Sequence, residues 1–177
     1  MASKEPKTRC NGEMTEAQYL GWIRSALRSK SLRWKPRGHA LKLARRAYVG
    51  TNKLQKWEYE CALCRDWFLA KECQVDHYPK EAGSIRSVED IGEFANNLFC
   101  EVDNLRVLCG DCHSIHTLAQ RGNISFEEAK KQQILNTFLK QDKQIILDFL
   151  EVNGYTGASV SNEDKRKAIV KQIMEEN

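Results

Sequence analysis

Apolar and polar positions change rhythm twice along this chain, and the changes divide it into three regions. In the first, Tyr19, Trp22, Ile23, Ala26 and Leu27 recur at helical spacing and predict an amphipathic helix with one face towards a core. Thr15 with Gln18 three residues later reads as a capping box that starts it. Arg24 and Arg28 fall off the apolar stripe. Residues Met1 to Glu13 ahead of the helix read as a loose tail. The stretch "SKSLRWKPRGH" breaks the period, with Pro36 and Gly38 close together. A second helix is expected from His39 to about Tyr48, with Leu41, Ala44 and Tyr48 inward and Lys42, Arg45 and Arg46 on the other side.

From Glu58 to about Gly122 short segments rich in β-formers appear, "WFLA" to "CQVDH" and later "NLRVLC". Between them "SVEDIGEFANNLF" predicts a short helix through Val88, Ile91, Phe94, Ala95 and Leu98. "GDCHSIHTLAQRG" predicts another that stops at Gly122. The third region is helical. Ser125 and Glu128 form a second capping box, and Leu135, Phe138, Leu139, Ile145, Ile146, Phe149 and Leu150 make a long apolar stripe. A turn at Asn153–Gly154, a flexible "TGASVS" and a last helix from near Ser161 or Asn162 follow. The pattern as a whole predicts an α+β protein. Its organisation is a flexible tail (1–13), a helical extension (14–56), a small mixed core (57–122) and a C-terminal helical extension (123–177).

Charge adds a feature that the apolar pattern hides. The chain carries a net +4, yet the stretch from Arg24 to Lys56 holds eleven Lys or Arg and no Asp or Glu. A basic block of this length in a chain that is otherwise net acidic predicts a polyanionic partner, nucleic acid first. A solvated helix surface is the plainer alternative. Trp34 inside the block would either stack on a base or anchor the core. No apolar run is long enough to span a membrane, and the N-terminus lacks an apolar signal region. An intracellular protein is expected.

The seven Cys fit such a compartment as metal ligands and thiols better than as a disulfide framework. Cys61-x2-Cys64 and Cys109-x2-Cys112 are two knuckles, each able to turn both sulfurs onto one ion. Four thiolates suit tetrahedral Zn²⁺ and fill its shell, so the expected site is structural. Cys10, Cys73 and Cys100 are read as ordinary thiols. The knuckles also bring distant residues together. If they share one ion, the strand ending in Asp76–His77 can pair antiparallel with "NLRVL", with the helix of Cys112 and His113 packed across. Asp76, His77, Asn104 and His113 would then converge. A neutral His is a suitable base near pH 7, and a carboxylate with an imidazole can hold a divalent ion with open positions.

The segments "YECALC", "VDH" and "NLRVLCGDCHSIHT" resemble the HNH family of ββα-metal nucleases, phage-type members in particular. His77, Asn104 and His113 match the family's three signature positions, and the nine-residue step from Asn104 to His113 is the family step. The matched region covers about a third of the chain. The resemblance implies a small zinc-stabilised ββα-metal nuclease core flanked by N- and C-terminal helices. It implies His77 as general base, Asp76 and His113 as ligands of Mg²⁺ or another divalent ion such as Mn²⁺ or Ni²⁺, and Asn104 as the orienting residue. Cleavage of DNA would leave 5′-phosphate and 3′-hydroxyl ends. DNA contacts are expected from Arg37, Lys42, Arg45, Arg46 and His116. The last of these stands where the family commonly has Lys, and Pro79 comes one residue earlier than in many members. The alternative is a non-catalytic zinc-stabilised nucleic-acid-binding module. An interaction protein working through its C-terminal helices, a homodimer, or a partner of phage packaging proteins stays open.

Overall fold

The segment expected to be a loose tail supplies the first strand and the turn of a small hairpin. Lys7–Arg9 (β1) pairs antiparallel with Met14–Thr15 (β2) around a turn with left-handed backbone at Cys10, Asn11 and Gly12. Arg9 ties this hairpin to the helix that follows, gripping Glu16 with hydrogen bonds of 2.6 and 2.8 Å and lying over the Tyr19 ring. The computed structural model describes residues 6–176, so Met1–Glu5 of the expected tail lie outside the described residues.

Helix α1 (Glu16–Ser31) starts at the Thr15/Gln18 capping box. Thr15 Oγ1 accepts from Gln18 N–H, and Gln18 Oε1 accepts from Thr15 N–H. Its inward face is Leu20 with Tyr19, Ile23 and Leu27, packed on Ala82, Ile85, Phe94 and Leu98. Trp22 and Ala26, expected on that face, are exposed, Trp22 at 67%. The residues at 19, 23 and 27 share a row, and the helix buries only that row and its neighbour Leu20.

Helix α2 (Lys35–Leu43) begins four residues earlier than expected, because Pro36 is in its first turn. Proline lacks an N–H that this turn would leave unpaired anyway, so it starts the helix here and does not break it. The helix also ends early. Arg45–Ala47 is not helical but a strand (β3), paired with Trp57–Glu60 (β4), which pairs in turn with Trp67–Phe68 (β5). Cross-strand stacking favours the extended form: Arg45 lies 4.0 Å over Trp57 and Arg46 lies 3.8 Å over Trp67.

Cys73–His77 (β6), Asp90–Leu98 (α3) and Leu105–Cys109 (β7) follow. β6 and β7 form a two-stranded antiparallel sheet with Cys73 opposite Cys109, Asp76 opposite Arg106 and His77 opposite Leu105. One face buries Val75 and Val107 against Ala40 of α2. Trp34 is an anchor: its Nε1–H donates to Cys100 O at 2.7 Å, and its ring meets Phe99 edge-on.

The described residues up to His113 and those from Ser114 onward form two compact units, divided inside α4 (Gly110–Gly122). The second unit continues with α5 (Phe126–Phe138), α6 (Lys143–Val152) and α7 (Glu163–Glu176). Ser125 and Glu128 make the expected capping box. The long stripe is broken between α5 and α6, where Asp142 caps the new helix by accepting from Gln144 N–H. Ile145 of that stripe is half exposed; Ile146 and Leu150 join Val160, Val170 and Ile173 in the core. Val160 comes from the "TGASVS" segment, whose Gly157–Val160 stretch is a 3-10 turn. Among the described residues no helix is long and apolar enough to cross a membrane.

Candidate metal centre and the strand end beside it

The first Cys pair lies in the turn between β4 and β5. Cys61 N–H donates to Asp66 O and Arg65 N–H donates to Cys61 O, both at 2.9 Å, and Arg65 takes a left-handed angle (φ 65°) to close the turn. The second pair joins strand to helix. Cys109 ends β7 and Cys112 is in the first turn of α4, its N–H donating to Cys109 Sγ at 3.4 Å. The two knuckles are stitched directly, Ala62 N–H donating to Val107 O at 2.8 Å.

The Sγ atoms of Cys61, Cys64, Cys109 and Cys112 all lie within 4.8 Å of one another. Tetrahedral zinc at about 2.3 Å from each sulfur needs S–S separations of about 3.8 Å. The donor set, all thiol and three-quarters buried, therefore fits a structural ion such as zinc with a small contraction. The thiols are unequal without one. Burial works against ionising Cys61, but backbone groups of Cys109, Cys64 and Leu63 outweigh it and bring Cys61 down to about 7. Burial and the neighbouring Cys61 and Cys109 sulfurs push Cys64 up to about 11, and burial pushes Cys112 up as well. Four thiolates cannot share this space uncompensated, and a divalent cation removes the conflict. Cys73 stands opposite Cys109 but is not one of the four; burial pushes its thiol up to about 11.

His77 is the last residue of β6. Its Nε2 lies 3.1 Å from Leu98 O. A carbonyl only accepts, so Nε2 carries the proton and the lone pair is at Nδ1. The contact that orients the ring is thus a main-chain carbonyl at the end of α3. Asn104 is next to His77 through its own main chain, accepting from Tyr78 N–H at 2.9 Å. Asp76 faces Arg106. Arg106 Nε–H donates to Asp76 Oδ2 at 3.0 Å, while Nη2 is 3.0 Å from the same oxygen but not aligned for a hydrogen bond, and is enclosed without another acceptor. The guanidinium also lies 4.3 Å over Tyr78. Arg106 therefore holds the residues on both sides of His77.

His113 is half-buried in the first turn of α4, immediately after Cys112. His116, in the second unit, is half-buried with Gln120 Nε2 at 3.5 Å from its Nε2. Of the basic residues, Lys42 is exposed at the last turn of α2. Arg46 donates from Nε to the buried Glu58 at 2.5 Å. Arg37 is half-buried and donates from Nη1 to Val75 O at 3.2 Å. Sequence reading missed two residues at the strand end. Leu98 acts through its main chain, which no side-chain pattern marks. Arg106 was available, since pairing "VDH" against "NLRVL" sets it opposite Asp76. No family model, no curated protein and no solved structure matches this chain.

Proposed function

We propose that this chain is a metal-dependent DNA endonuclease of the HNH type, with β6, β7 and the start of α4 as its ββα-metal core. One observation carries the reading. Asp76 and His77 end a strand that is hydrogen-bonded to β7, and β7 runs through a Cys pair of the four-Cys cluster straight into the helix that bears His113.

In this reading His77 takes a proton from water at Nδ1, since Nε2 is committed to Leu98 O. Asp76 and His113 would hold a divalent ion such as Mg²⁺, Mn²⁺ or Ni²⁺, which supplies positive charge to the phosphate and the leaving 3′ oxygen. Asn104 fixes the turn after His77 through its carbonyl. The products are 5′-phosphate and 3′-hydroxyl ends. The four-Cys centre has no part in the chemistry and holds the frame.

The test is supercoiled plasmid incubated with each ion, with and without chelator, beside His77→Ala. Ion-dependent cleavage lost in the variant is expected. Equal cleavage by both proteins sinks His77 as the base. A second reading, a zinc-stabilised DNA-binding module without catalysis, draws on the Asp76–Arg106 pair, which already gives the carboxylate a structural task. Binding without cleavage in any of the ions decides for it.

A further inference from the structure

The basic block predicted DNA contacts from Arg37, Lys42, Arg45 and Arg46, but the fold stacks two of these, Arg45 and Arg46, on aromatic rings. Arg45 is stacked on Trp57, and Arg46 is stacked on Trp67 and paired with Glu58. Arg37, with its neighbours Arg33 and Lys35, lines a cavity of about 540 Å³ in the first unit. Arg33, Lys35 and Arg37 form one wall of it, and Cys73, Gln74 and Val75 of β6 form the other. None of its lining residues is acidic. Arg33 and Lys35 are exposed, whereas Arg37 is half-buried. The wall is fixed, since Trp34 is bonded to Cys100 O and stacked on Phe99.

Arg37 is the telling member. Burial pushes its guanidinium below its ordinary value, and Cys100 and Asp76 offset this only in part, so the fold bears a cost for its charge. Its hydrogen bond goes to a neutral carbonyl, Val75 O, and not to a carboxylate. An anion in the cavity would compensate that charge better than the carbonyl does.

We infer that this cavity seats a backbone phosphate of DNA, with Arg37 at its floor and Arg33 and Lys35 at its mouth. A polymer suits the place better than a mononucleotide, because further exposed cations, Arg28 and Lys30, stand in the last turn of α1, a few residues before Arg33 in the chain. The inference rests on the endonuclease reading for the identity of the polymer, and it adds where the substrate strand runs. Val75, which takes the Arg37 hydrogen bond, is two residues from His77 on β6, a span of about 7 Å. The seated phosphate is therefore within a few nucleotides of the bond to be cut.

The test uses the full-length protein and a fluorescent duplex, with anisotropy read across a salt series and no divalent ion added. Arg33→Gln/Lys35→Gln is expected to weaken binding about tenfold or more and to reduce the slope of log K against log salt by about 2. Arg37→Gln should do the same in part. Because it removes a bond to β6 and risks misfolding, the exposed double variant carries the decision. Lys53→Gln/Lys56→Gln removes equal charge elsewhere in the block. Equal loss from both double variants, or tighter binding of an RNA duplex than of DNA, overturns the inference. Plasmid cleavage by the wild type is scored separately. Cleavage with no slope change in the variants removes the seat alone. A slope change without wild-type cleavage keeps the seat and removes the nuclease.

Discussion

The Asp76–Arg106 pair makes a quantitative demand on stability that is separate from catalysis. Both side chains are largely enclosed, 14% and 13% exposed, with the closest charged atoms at 3.0 Å. At an effective dielectric of about 20, Coulomb's law gives roughly 5 kcal/mol of gross attraction, most of it offset by the desolvation of both ions. The net worth of the pair is therefore small, but stranding either member is not. Arg106→Met takes from an enclosed carboxylate its hydrogen-bonded cation and should cost ~3 kcal/mol; Asp76→Asn keeps an acceptor for Arg106 and should cost ~2 kcal/mol. The double variant should lose less than the two single losses together, with a coupling of ~2 kcal/mol. Urea unfolding of the metal-loaded protein measures this cleanly, because Trp22, Trp34, Trp57 and Trp67 all belong to the first unit and their fluorescence reports on it. Additive losses, or an Asp76→Asn protein as stable as the wild type, would refute the reasoning. If the losses couple as expected, an inactive Asp76 variant is evidence about the ion only where it is shown to be folded.

Three further outcomes follow from the packing. Removing the metal with a chelator, or Cys61→Ser, should speed hydrogen exchange in β4 and β7 while α6 and α7 keep their protection, since Ile146, Leu150 and Val170 form a separate core; uniform loss in both units would contradict this. Leu108, fully buried on β7, should cost ~2–5 kcal/mol as Leu108→Ala in the same urea assay, and a loss under 1 kcal/mol would show that the site collapses around the gap. Burial holds the Cys73 thiol up at about 11 against an ordinary 9.0. Its contribution is complete below pH 9 and fades as pH rises through about 11, so Cys73→Ala should flatten the stability curve in that window. An unchanged alkaline slope counts against it.

What was legible in the sequence was mostly local. Both capping boxes lie within four residues and were read correctly, because the side chain and the amide it caps are close in the chain. The Cys pairs were legible for the same reason, and the four sulfurs do come together as the two turns predicted. The α2–β3 junction was misread because "ALKLARRAY" suits a helix taken alone. The strand partners that override it, Trp57 and Trp67, are far along the chain. Trp34 could not be assigned in advance, since its acceptor is the main chain of Cys100, sixty-six residues away. The same applies to His77, whose partner at Leu98 is a carbonyl that any residue could supply.

Cys109 belongs at once to a strand register and to a thiol cluster. A slip of one residue between β6 and β7 would turn Asp76 and His77 each to the other face of the sheet, and β7 is itself held by Cys109 in the cluster and by the Ala62 N–H on Val107 O. The cluster thus fixes β7, the strand against which β6 is aligned. Three of its cysteines are buried, and Cys64 is open to solvent. An oxidant therefore has one exposed sulfur at which to begin, and damage there would be transmitted as misalignment of Asp76 and His77, residues that the oxidant need never touch.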